Sequence, residues 1–143
     1  MPTVYRSMKV ADDGLPVVGD RSKELGVRVP PNRHADIDVD NAGMVVLNGL
    51  GMSVVANWRD LPDHLIPIRL CAIVPQAAGS NDLKCYRWGE GPFAAGMLAA
   101  GLELVLKPGS SRHGNVTPTT DVTVAQFLAL LAATRAEWVE DET

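Results

Sequence analysis

One helix pattern near the end of this 143-residue chain limits its fold more than any other feature. Val124, Phe127, Leu128 and Leu131 recur at positions i, i+3, i+4 and i+7, which is the spacing of one helix face. Thr123, followed three residues later by Gln126, is a capping-box signature for a helix start. The pattern therefore predicts a helix over about 124–134, and the rest of the chain has to be built from short strands and loops.

Alternating apolar and polar residues predict several short strands before this helix. The predicted strands cover residues 3–10, 36–40, 44–47, 51–56, 83–88 and 102–107. Asn41, Ala42 and Gly43 predict a hairpin turn that joins the second of them to the third. A chain of this length normally forms one domain. We therefore expect a single α+β domain over residues 1–143, with small mixed or antiparallel sheets.

Four other segments are open to more than one interpretation. Residues 11–35 are rich in turn residues, and long irregular segments of this kind are often functional. Residues 58–70 fit either a short helical turn or an extended segment, and residues 89–101 fit either a short Ala-rich helix or a Gly-loosened strand pair. Trp138 and Val139 fit either a terminal strand or a segment that docks on the core.

Charge and hydropathy exclude several partners. The net charge is −4, and the 13 Lys and Arg residues form no run, so a nucleic-acid partner is not expected, although a local cluster could still bind one small phosphate ligand. The chain start has no signal-peptide pattern, and its longest apolar stretch, 93–106, is shorter than the roughly 20 residues that span a bilayer. We expect a cytoplasmic protein without a membrane partner, unless a specialised secretion machine exports it.

Most common catalytic and metal-binding motifs are missing. Asp36, Asp38 and Asp40 resemble the start of a calcium loop, but the required Gly and Glu that complete such a loop are absent, so no metal is expected. The sequence contains no P-loop, GxGxxG, GxSxG or HExxH motif. Cys71 and Cys85 form no CxxC and are expected to be buried thiols.

Three kinds of residue remain as candidates for a site. His113 stands at a loop-to-strand junction, where a side chain can reach a cleft, and Glu90 is flanked by Gly89 and Gly91 at a strand end. Arg6 shares the core face of the first predicted strand with apolar residues, although an unpaired arginine is rarely buried. Each of these also has a structural interpretation, as a packing histidine, a solvated turn carboxylate or one partner of an ion pair.

The order of several short segments resembles a family of type VI secretion effector toxins that have an ADP-ribosyltransferase-like fold. The first match is Val4-Tyr5-Arg6, which resembles the family's opening Leu-Tyr-Arg strand. The later matches are residues 35–37, 51–54, 61–62 and 113–118 and the closing helix that ends near Trp138. The matches are spread over most of the chain, but each is short.

The resemblance implies a cleft between two small sheets that binds NAD. It implies that Tyr5, Arg6 and Ser53 bind the cofactor and that His113 lies at the cleft. Glu90, chosen from its own setting, is the candidate carboxylate that would stabilise the ribose cation as nicotinamide leaves. The implied function is a toxin that transfers ADP-ribose, with an immunity protein as its partner. The chain lacks the QxE pair and the Ser-x-Ser of such enzymes, so the alternative is a non-catalytic binding module of the same fold.

Overall fold

A computed structural model describes residues 1–143 and contains seven strands and one α-helix. The strands are β1 (Val4–Lys9), β2 (Met52–Val55), β3 (Leu83–Trp88), β4 (Gly96–Ala99), β5 (Leu102–Leu106), β6 (His113–Pro118) and β7 (Val139–Glu140). The helix α1 spans Val124–Ala132. Short 3₁₀ turns lie at Trp58–Asp60, Asp63–Leu65, Ile68–Leu70 and Arg135–Glu137. The expected α+β class is confirmed.

All seven strands belong to one sheet in the order β4-β5-β6-β2-β1-β3-β7, and every neighbouring pair is antiparallel. The region 89–101 contributes the strand β4 and not an Ala-rich helix. The segment 58–70 forms helical turns, and the chain end forms the short edge strand β7. No helix of the structure has the length and apolar character that a membrane span requires.

The sheet carries a hydrophobic cluster on each face. The larger cluster joins Val4, Met8 and Val54 of the sheet to Phe127 and Leu131 of α1. The capping box at Thr123 and Gln126 is present, which explains why α1 starts where the sequence predicts. The smaller cluster packs Trp58, Leu61 and Ile66 of the 3₁₀ segment over the other face. Consecutive residues of β1 therefore point into different clusters, as strand geometry requires.

One local prediction holds only in part, and another is wrong. Residues 36–47 form a hairpin of one antiparallel bridge, Val39 to Val45, closed by the Asp40 N–H on the Met44 carbonyl and the Val46 N–H on the Asp38 carbonyl, and not two full strands. The turn itself is present, with Gly43 at a φ of 79°. Cys71 is exposed, and only Cys85 is buried as expected.

Candidate functional site

The central feature of the sheet is an opening between β1 and β2. These neighbours share a single registered residue pair, Tyr5 with Val55, whereas β1 and β3 share six. Beyond that pair the strands separate, and the loop that precedes Leu25 takes the place of β2: the Lys9 N–H donates to the Lys23 carbonyl at 2.7 Å. The sheet is therefore split into two halves, β4-β5-β6-β2 and β1-β3-β7, which touch at one end.

Arg6 spans this opening. Its Nη1 donates to the Ser53 carbonyl of β2 at 2.8 Å, and its Nε and Nη2 donate to the Glu24 carbonyl at 3.2 and 3.0 Å. Burial lowers the pKa of the Arg6 guanidinium to about 10, with Asp36 opposing the shift and Arg28 adding to it. The group is still a cation at neutral pH. Arg6 thus fixes the width of the opening, and it explains how an arginine shares the core face of β1.

A cavity of about 1040 Å³ occupies the opening. Arg6 and Ser7 both line it, although consecutive strand residues point to opposite faces of an intact sheet. The cavity therefore extends through the opening from one face to the other. On the face of Ser7 its wall includes Ser53 of β2, His113 of β6 and the apolar residues Leu61 and Leu65. The volume is at the upper end of the range for small-molecule sites.

The charge of the cavity is opposite to that of the chain. Four cationic side chains line it, namely Arg6, Lys23, Arg28 and Lys107. Asp36 is the only carboxylate in its wall, and Arg28 holds it in a two-point ion pair with contacts of 2.9 and 3.2 Å. Since the whole chain carries a net charge of −4, this concentration of positive charge indicates an anionic ligand.

His113 has a fixed orientation at the rim of the cavity. Its Nδ1 lies 3.0 Å from the Ser110 hydroxyl. That hydroxyl oxygen already accepts the N–H groups of Arg112 and His113, so its own proton is available to the ring. With Nδ1 as the acceptor, a neutral His113 carries its proton on Nε2 and offers it as a donor. On the neighbouring strand, Ser53 lies opposite Asn115, and Val55 lies opposite His113.

The structure brings together three of the five residues that sequence reasoning selected, namely Arg6, Ser53 and His113. Tyr5 does not line the cavity: its hydroxyl donates to Asp141 at 2.9 Å, and burial together with that bond raises its pKa. Glu90 is exposed and lies outside the cavity, because the glycines that flank it pack against the backbone of Met1 and Pro2. Glu90 therefore cannot serve as the carboxylate of this cavity.

Sequence reasoning missed most of the wall, including Ser7 and the cationic residues Lys23, Arg28 and Lys107. Ser7 is 2% exposed, and its hydroxyl has no hydrogen-bond partner. Lys23 has a φ of 68°, which makes it the only residue other than glycine with a positive φ. Neither property has a local sequence signal, since one depends on strand separation and the other on loop geometry.

The three aspartates that resemble the start of a calcium loop each bind a different partner in the protein. Asp36 binds Arg28, Asp38 accepts the side-chain amide of Asn48, and Asp40 accepts the backbone N–H groups of Ala42 and Met44. No group of three or more histidine, cysteine, aspartate or glutamate side chains in the structure could hold a metal ion.

Comparisons with known proteins add no relative. No family model, curated protein or solved structure matches this chain.

Proposed function

We propose that this chain is an ADP-ribosyltransferase-like domain that binds NAD in the opening between β1 and β2. The observation that carries the proposal is the excess of positive charge around one large cavity in an acidic chain: four cationic residues line it, and only one carboxylate, Asp36, offsets them. The pyrophosphate of a dinucleotide is a compact double anion, and guanidinium and ammonium groups are its usual partners in proteins. The proposal is also supported by the convergence of Arg6, Ser53 and His113, three of the four residues at which the family resemblance expects the cofactor or the cleft; the fourth, Tyr5, lies outside the cavity.

The remaining wall suits the other parts of NAD. Val55, Leu61, Pro62 and Leu65 provide apolar surface on which a flat ring can lie. Asn115 and His113 provide polar groups on the adjacent strand, where a ribose hydroxyl or an amide can bind. The Asn115 amide already donates to the Gly49 carbonyl at 2.9 Å, so its oxygen is held in a fixed position.

Binding, more than catalysis, is what the cavity is equipped for. ADP-ribosyl transfer passes through a positively charged ribose, which an enzyme stabilises with a nearby negative group. Asp36 is the only carboxylate in the cavity wall, and Arg28 neutralises it at 2.9 Å. The alternative of a non-catalytic binding module therefore has a specific observation in its favour. Incubation with NAD should release no nicotinamide above the uncatalysed rate, and a release that Asp36→Asn abolishes would instead establish the transferase.

From the resemblance we also propose a biological role: the chain is a type VI secretion toxin, or an inactive relative of one, and an immunity protein binds it. Expression inside bacteria separates these two forms. An active toxin arrests growth, and Arg6→Ala relieves the arrest. The binding module leaves growth unchanged and is captured by an immunity-like protein in a pull-down with defined candidates.

NAD should raise the melting temperature of the wild-type protein, because a ligand that binds only the folded state stabilises it. Ser53→Leu should remove this shift, since Ser53 is exposed in the cavity and leucine occupies the space of the ligand. Glu90→Ala is the matched control, because Glu90 is also exposed but lies outside the cavity. Differential scanning fluorimetry measures all three proteins. A wild-type protein that shows no shift at millimolar NAD would contradict the proposal.

A further inference from the structure

The hairpin that joins β5 to β6 places Lys107 and His113 side by side on one face of the sheet. The Lys107 N–H donates to the His113 carbonyl at 2.9 Å, which continues the β5–β6 register one residue beyond the pair of Leu106 and Gly114. Residues opposite each other in such a hydrogen-bonded antiparallel pair have Cα atoms about 5.5 Å apart and side chains on the same face. Both residues are exposed, and both line the cavity.

Both side chains are available to a ligand. Lys107 takes part in none of the ion pairs of the structure, whereas Arg112, the other cation of this hairpin, is held by Asp60 at 2.7 Å. The Ser110 hydroxyl occupies Nδ1 of His113, so Nε2 of the neutral ring is left as a hydrogen-bond donor. An ammonium and an N–H donor without a carboxylate partner match a group of acceptor oxygens that carries negative charge.

This pair is separate from the cations at the opening. Arg6 donates to the Ser53 carbonyl of β2, and its charge interacts with those of Arg28 and Asp36. Lys107 follows β5, which lies two strands away from β2 across β6. At about 4.8 Å between neighbouring strands, the backbones of β2 and β5 are roughly 10 Å apart. The cavity thus has two cationic groups, and the pyrophosphate of NAD accounts for only the one at the opening.

Polar side chains connect the two groups on the same face. Ser53 and Asn115 are registered partners on β2 and β6, and both line the cavity. The Asn115 amide donates to the Gly49 carbonyl at 2.9 Å, which leaves its oxygen to accept a ribose hydroxyl. Asn115 lies two residues from His113 on β6, about 7 Å along the strand. A ribose bound at Asn115 therefore lies next to Lys107 and His113.

We infer that Lys107 and His113 bind a second phosphoryl group, carried by a ribose of the dinucleotide, so that the cavity prefers a ribose-phosphorylated dinucleotide such as NADP to NAD. The inference rests on the proposed function, because it requires a dinucleotide in the cavity. It adds the class of dinucleotide and the two residues that select it.

Calorimetric titration with NADP and with NAD measures this preference, since the two ligands differ by one phosphoryl group. The wild-type protein should bind NADP at least about tenfold more tightly than NAD. Lys107→Ala should lose at least about tenfold more affinity for NADP than for NAD, and His113→Ala should reduce the preference in the same direction. Lys84→Ala, which removes a lysine that pairs with Glu140 outside the cavity, should keep the wild-type preference.

The melting temperature of Lys107→Ala without ligand should equal that of the wild-type protein, because the side chain is exposed and has no ion-pair partner. Equal affinity of the wild-type protein for NAD and NADP overturns the inference and leaves the proposed function intact. A preference for NADP that both cavity variants retain also overturns it, since the phosphoryl group is then bound elsewhere. A protein that binds neither ligand contradicts the proposed function, and the inference with it.

Discussion

Replacing Trp138 by alanine should lower the free energy of unfolding by about 3–5 kcal/mol, the usual cost of truncating a fully buried aromatic residue. Trp138 is 1% exposed, and its ring centroid lies 5.4 Å from that of Trp88 on β3. Its indole N–H donates to the Thr134 hydroxyl at 2.9 Å, and that hydroxyl donates to the Leu131 carbonyl of α1. The residue therefore ties the helix end to the sheet, and equilibrium unfolding in urea measures the loss.

The neighbouring residue provides the control for this change. Val139 is 45% exposed on the edge strand β7, so Val139→Ala should alter stability by less than about 0.5 kcal/mol. If Trp138→Ala lowered the free energy of unfolding no more than Val139→Ala does, the chain end would not belong to the larger hydrophobic cluster.

Arg6→Ala should have the second large effect, on both stability and binding. The change leaves the carbonyls of Glu24 and Ser53 without their donor, and hydrogen bonds to charged groups are each worth about 1.5–3 kcal/mol. Relief of the buried charge offsets part of this, so we expect a net loss of about 2–4 kcal/mol. NAD affinity should fall at least about 100-fold, because both a phosphate contact and the width of the opening are lost.

Two variants distinguish the loss of the hydrogen bonds that Arg6 makes across the opening from the loss of its positive charge. Arg33→Ala removes the same charge from an exposed residue outside the cavity and should change neither stability nor affinity. Arg6→Lys keeps the charge but cannot donate to both carbonyls at once in a planar arrangement, so it should recover only part of the affinity. An Arg6→Ala protein that unfolds at the wild-type urea concentration would show that Arg6 does not hold the two half-sheets together.

The sequence predicted those elements whose signals are local. The alternation in residues 83–88 gave β3 to the residue, and the capping box gave the first residue of α1. The helix ends at Ala132 and not at residue 134, because the Ala133 and Thr134 N–H groups close the last turn, on the carbonyls of Ala129 and Leu131, and a 3₁₀ turn follows. Helix ends depend on such closing contacts, which periodicity does not report.

The short hairpin at residues 36–47 shows where local signals stop. The alternation and the Gly43 turn were correctly identified, and one bridge of the hairpin, Val39 to Val45, forms. The pairing does not continue, because the Asp36 N–H bonds the carbonyl of Arg28. Local patterns do not report such distant partners.

The site was predictable only in part, for a related reason. Arg6 stood out because a cation lay on an apolar strand face, and His113 stood out because it began a strand. The opening itself arises because β1 and β2, more than 40 residues apart in the chain, share one residue pair. No local pattern reports that separation. Glu90 was selected for its flanking glycines, whose actual role is to pack against the chain start.

Binding of a dinucleotide in the opening between β1 and β2 can be measured by NMR titration of the wild-type protein with NAD. Saturable shifts are expected in the backbone amides of Arg6, Ser7, Lys23, Ser53 and His113, with Glu90 and the 3₁₀ turn at Ile68–Leu70 unchanged. Shifts confined to residues outside the cavity, or no shifts at millimolar NAD, would contradict it.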